Sequence, residues 1–185
     1  MKVNHFELEE IDRIRKHLQN NPKHLLLFNL GINTGLRMSD LLSLKISHFI
    51  NRKIGDTIEI VEKKTNKINY IVFNKIIYKS FQSYLKSLET YNENDFLFKS
   101  RKGTNNPYTI QHSHFLIKSI CKTLGFPGNY GTHSLRKTFG YVHRKYNGVG
   151  IEVLMKRFSH SNQSITLRYI GLTEKEVEGV LMTSI

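Results

Sequence analysis

The chain has 185 residues and 39% hydrophobic content, enough to fill the core of one globular domain without disulfides or a structural metal. A formal net charge of +13 with an isoelectric point near 9.8 exceeds what solubility requires and points to a polyanionic partner, because cationic side chains attract phosphate whatever the sequence. Cys121 is the only cysteine, which excludes an intrachain disulfide and a cysteine-based zinc site. The amino terminus MKVNHFELEEIDRIRK is charged where a signal peptide needs its apolar run, and no stretch approaches transmembrane length, so a cytoplasmic protein without membrane association is expected.

In chain order, Ile11, Ile14 and Leu18 recur at helical spacing, and Pro22 is placed to open a second helix through the apolar stretch 24–32. Asn33-Thr34-Gly35 breaks that pattern before 39–44 resumes it, which puts Arg37 at a turn leading into a helix. Segments 58–61 and 68–73 are rich in β-branched residues and flank the polar run 63–67; they read as a hairpin with Lys64 near its tip. Ile77, Phe81, Tyr84 and Leu88 mark a further amphipathic helix, and Phe96-Leu97-Phe98 suggests a short strand.

After a loop at Asn105-Asn106-Pro107, helices are expected over about 108–124, 134–146 and 151–158. Cys121, with Ile117, Ile120 and Leu124 around it, reads as core. A short helix over 165–170 stopped by Gly171 and a last helix capped by Thr173 and Glu176 complete the chain. The fold class is therefore mainly α with a small antiparallel β-sheet, an α+β domain without repeats or a composition shift.

Several residues carry chemistry if they meet. His133 and Arg136 lie three apart on a helix and can face one ligand; Gly140, seven residues after His133, leaves room there for a close partner, while Leu135, Phe139 and Val142 face elsewhere. The same pair equally suits a solvated helix face. Arg37 at a helix amino terminus sits where anions are favoured, so a shared phosphate resolves its placement, with Asp40 orienting it from behind; the plainer reading is a surface Arg37–Asp40 pair. Lys64, taken singly, is an edge charge of a kind that blunts exposed strands, His160 a loop histidine and Tyr169 a half-buried helix tyrosine.

Taken together, TGLRMSD at 34–40, KTNK at 64–67, HSLR at 133–136 and SHSNQSITLRY at 159–169 resemble the tyrosine recombinase (phage integrase) family. The resemblance covers the whole chain as that family's catalytic domain. It implies a catalytic set of Arg37, Lys64, His133, Arg136, His160 and the nucleophile Tyr169, supported by Asp40. Ser159 departs from the glycine often found before the histidine of the last block. The resemblance further implies cleavage and rejoining of double-stranded DNA through a 3′-phosphotyrosyl intermediate, with no cofactor or metal. It also implies a homotetramer on paired sites in which the segment after Tyr169, with Val177, Val180 and Leu181, packs on a neighbour.

The 185 residues leave no room for the amino-terminal helical domain that many members use to close a clamp on DNA, which fits either a naturally short recombinase, similar in size to the fimbrial phase-variation inverters, or a fragment of a longer integrase. A type IB topoisomerase-like enzyme and a catalytically dead DNA-binding regulator are the alternatives. Site preference and assembly on paired sites separate the former, and use of Tyr169 the latter.

Overall fold

The computed structural model describes residues 3–170 and Met182. The terminal helix expected around Thr173 and Glu176, its face Val177, Val180 and Leu181, and the stop at Gly171 lie outside the described residues.

The first helix, α1 (Leu8–His17), buries Ile11 and Ile14, and its charges follow the helix dipole, with Glu9 and Glu10 in the first turn and Arg15, Lys16 and His17 in the last. Helix α2 (Pro22–Thr34) begins with proline at a position that needs no N–H, and the side chain of Asn21 accepts from the His24 amide. It is apolar around its circumference and is accordingly the central helix, packed against the later helices α4 (Lys75–Lys86) and α6 (Thr132–Lys145). Gly35 ends α2 in the left-handed conformation at φ 61°, and the chain turns there toward Arg37.

Helix α3 (Met38–Leu41) is shorter than the expected 39–44 because the chain leaves it to pair elsewhere: the Leu44 carbonyl accepts from the Leu97 amide at 2.7 Å, and Ile46 N–H donates to Asp95 O at 3.0 Å. Strands β1 (Thr57–Val61) and β2 (Ile68–Val72) form the antiparallel hairpin, paired from Thr57↔Val72 to Val61↔Ile68. Ile58 and Ile71 face the core, and Val61, Ile68, Tyr70 and Val72 face outward. The expected strand over 96–98 is instead a single bridge, Phe96 with Lys45, since only one residue on each side finds a ladder partner.

In the second half, α5 (Ile110–Thr123), α6, α7 (Ile151–Phe158) and α8 (Gln163–Ile170) follow one another. Cys121 on α5 is core, and burial pushes its thiol up to about 12. Leu154, Phe158 and Ile170 make a small second core where α7 and α8 lie on α6. Gly140 makes that seat possible: a Cβ there would stand 2.5 Å from Ile170 Cγ2 and 2.8 Å from the Phe158 ring. The close partner expected at Gly140 is therefore the helix that carries Tyr169. No helix among the described residues is long and apolar enough to cross a membrane.

Candidate active site

Four of the sequence-derived residues, Arg37, Lys64, His133 and Arg136, line one cavity of about 240 Å³ between the α3 turn, the hairpin tip and the start of α6. Tyr169 and His133 line a neighbouring cavity of about 410 Å³, together with Lys137, Ile165 and Arg168. His133 is thus the wall between the cationic pocket and the tyrosine. His160 borders Tyr169 directly, ring against ring at 5.4 Å and nearly perpendicular.

Arg136 is 3% exposed and is fixed by two backbone carbonyls, donating from Nη1 to Gly35 O at 2.6 Å and from Nη2 to Phe158 O at 2.8 Å. Its guanidinium lies over the Phe158 ring at 4.6 Å. Those contacts use two of its five N–H groups, so the fork keeps donors for an anion. The two carbonyls come from the end of α2 and the end of α7, so the arginine ties together segments far apart in sequence.

Arg37 differs from its expected environment. Its carboxylate partner is Glu62 rather than Asp40: Arg37 Nη1 stands 2.6 Å from Glu62 Oε2, with the acid fully buried and the arginine 19% exposed. Asp40 instead accepts the Lys63 amide at 2.9 Å and so anchors the hairpin tip beside Lys64, while its second oxygen is buried with no hydrogen-bond partner among the described residues. The helix-dipole argument for Arg37 is also weakened, because α3 has only four residues.

Glu62 was not singled out by its sequence, although a signal was present. Ile58 and Ile60 alternate inward on β1, and one further step of two places residue 62 on the same face. Burial alone would raise its carboxyl pKa. Hydrogen bonds from Thr65, Asn69 and Arg37 overcome that and hold it below the ordinary carboxylate value.

The two histidines are both biased toward the neutral form. His133 is surface-accessible, yet its partly packed ring and the charges of Arg136, Arg37, His114 and Lys64 lower its pKa. His160 is lowered to about 4, by burial first and then by Arg136 and Arg37. Its Nδ1 lies 2.9 Å from Thr166 Oγ1; the tautomer that lets Nδ1 accept that hydroxyl leaves Nε2–H free to donate.

Tyr169 packs against Phe158 at 5.4 Å, and its buried hydroxyl oxygen makes no well-aligned hydrogen bond among the described residues. Burial raises its pKa, opposed by the charges of Arg136 and Arg37 and by the approach of the Arg136 guanidinium to the hydroxyl. A buried phenol beside two guanidiniums stands where an incoming anionic group would meet all three.

The chain matches the phage integrase family over residues 4–176. It is 34% identical over 168 residues to a probable integrase/recombinase, YoeC, of Bacillus subtilis, covering 90% of this chain and 88% of the relative. With a probable integrase/recombinase of Acholeplasma phage L2 it shares 31% identity over 181 residues, 92% of this chain but 57% of that protein. Among solved structures, the crystal structure of XerA recombinase superposes with a TM-score of 0.80 at 20% identity, over 100% of this chain and 67% of the other. The chain belongs to the phage integrase family of tyrosine recombinases.

Proposed function

We propose that the protein is a site-specific DNA recombinase that cleaves and rejoins double-stranded DNA with Tyr169 as nucleophile. The observation that carries this reading is the junction at His133 between a pocket lined by Arg37, Lys64 and Arg136 and a tyrosine whose hydroxyl is buried beside the same two arginines. A net charge of +13 supplies the attraction for the DNA backbone.

A phosphodiester entering between the two cavities brings two negative oxygens to Arg37 and Arg136, whose planar forks suit them and stabilise the charge that grows in the transition state. Tyr169 Oη attacks phosphorus and its proton passes to neutral His133. The bond to the 5′ oxygen breaks, and Lys64 at the hairpin tip donates the proton that this oxygen needs. His160 Nε2–H donates to a phosphate oxygen. The product is a 3′-phosphotyrosine and a free 5′ hydroxyl. Because the bond energy is kept, attack by a 5′ hydroxyl of another strand reverses the step and completes exchange.

Asp40 supports the set by holding the backbone beside Lys64. Exchange between two duplexes calls for four protomers on paired sites, and the segment after Tyr169 is the element assigned to contact a neighbour. A cytoplasmic location suits a DNA substrate and the single buried thiol.

The test uses a nicked duplex bearing a site selected from a random-sequence pool by covalent capture. Wild type should form a denaturation-resistant adduct, and Tyr169→Phe should form none while binding the same DNA. Removing this hydroxyl, which makes no well-aligned hydrogen bond among the described residues, should leave the melting temperature little changed. Adduct formation that survives in Tyr169→Phe overturns the assignment of the nucleophile, and a wild type with no adduct on any pool member overturns the enzyme reading.

A further inference from the structure

Arg157, in the last turn of α7, lines neither cavity of the active site, yet it is the most heavily engaged arginine of the described residues. Its Nε donates to the Thr34 carbonyl at 2.7 Å and Nη2 donates to the same oxygen, at the carboxyl end of α2 where a cation is favoured. Nη1 reaches the other way, to the side-chain oxygen of Asn69 and to the Tyr70 carbonyl at 2.8 Å, both on β2. The guanidinium also lies 5.8 Å from the Phe139 ring centre. One planar group therefore joins α7, the end of α2 and the hairpin.

The contacts continue to the reaction site. Asn69 donates to Glu62 Oε1 at 2.8 Å, and Glu62 Oε2 holds Arg37. The next residue after Arg157, Phe158, offers the carbonyl that fixes Arg136. Among the described residues Arg157 makes no ion pair, and its charge is spent on neutral oxygens. A desolvated cation arranged in this way is costly beside an apolar side chain of similar size, so its contribution is geometric: a rigid fork that only arginine supplies.

We propose that Arg157 is a positioning residue for strand cleavage, setting the hairpin against α2 and thereby the Glu62–Arg37 pair and the reach of Lys64. The proposal rests on the recombinase reading above. Burial, then the nearby Arg136, lowers its pKa to about 10, so it remains cationic at neutral pH.

The experiment measures single-turnover adduct formation at saturating nicked DNA for wild type, Arg157→Met and Arg157→Lys, with DNA affinity and melting temperature read in parallel. Arg157→Met should slow adduct formation on the order of 100-fold, the scale expected when a reacting group is misplaced by about an ångström, with DNA affinity retained. Arg157→Lys keeps the charge and the stem but cannot span both segments, so it should fold, bind and still be slow.

A wild-type rate in Arg157→Lys overturns the proposal, whether or not Arg157→Met folds. Combining Arg157→Met with Glu62→Gln should be no slower than the slower single variant; fully additive losses overturn the path through Glu62. If wild type itself gives no Tyr169-dependent adduct, the recombinase reading fails first, and the two failures are distinguished.

Discussion

Glu62 and Arg37 form a 2.6 Å ion pair in which the acid is wholly buried and the base reaches the cationic pocket. The pair has a direction. Thr65 and Asn69 hold the carboxylate from the hairpin side, so the guanidinium is oriented by the hairpin whose tip carries Lys64. Arg37 and Lys64 are thereby coupled through one buried side chain, and a hairpin displaced from α2 would disturb both.

Replacing Glu62 by Gln keeps the shape and removes the charge. At neutral pH the variant should be less stable by about 1–3 kcal/mol, the usual cost of leaving a buried polar partner unmatched. Because the folded carboxyl lies below its ordinary value of 4.5, its stabilisation is complete above that value and is lost as pH falls through the lowered folded value. Urea unfolding of both proteins from pH 7 to pH 3 checks this: the gap should narrow once the pH falls below 4.5, and an undiminished gap at the acid end would assign the loss to packing instead.

At Gly140, alanine is favoured by helix propensity by about 1 kcal/mol, since glycine is a poor helix former. The added methyl would nevertheless meet Ile170 and Phe158 at 2.5 and 2.8 Å. Gly140→Ala should therefore lose stability by about 1–3 kcal/mol as an overpacked site, and should form the Tyr169 adduct more slowly because α8 is pushed off α6. A variant that is both more stable and fully active would show that α8 does not need this seat.

His160 should remain neutral through the physiological range, since burial and then the two arginines lower it to about 4 from an ordinary 6.5. Between those values the folded state binds fewer protons than the unfolded chain. Its contribution to stability is therefore full above 6.5 and declines as pH falls toward 4. His160→Asn should flatten that part of the melting-temperature profile, and an NMR titration of the imidazole should show no midpoint above pH 5. A midpoint near the ordinary value would contradict the partly buried, cation-crowded placement.

Much of the molecule is legible in local pattern. Ile11, Ile14 and Leu18, the proline at 22, the break at Gly35 and the β-branched runs around 63–67 identify helices and a hairpin close to where they occur, because turns and amphipathic faces depend on residues a few positions apart. The strand expected at 96–98 fails for the complementary reason: a strand exists only if a second segment offers a ladder, and Lys45 offers one bridge.

The site divides the same way. The residue types and spacing of Arg37, Lys64, His133, Arg136, His160 and Tyr169 stand in the sequence, and four of them line one pocket, with Tyr169 reached across His133 and His160 beside it. Glu62 as the partner of Arg37, across 25 positions, and Arg157 as the clamp on Thr34, across 123, could not be read there. A side chain's periodicity shows which face it occupies; which charge or carbonyl it meets on that face is decided by how helices and hairpin pack, through contacts that have no period.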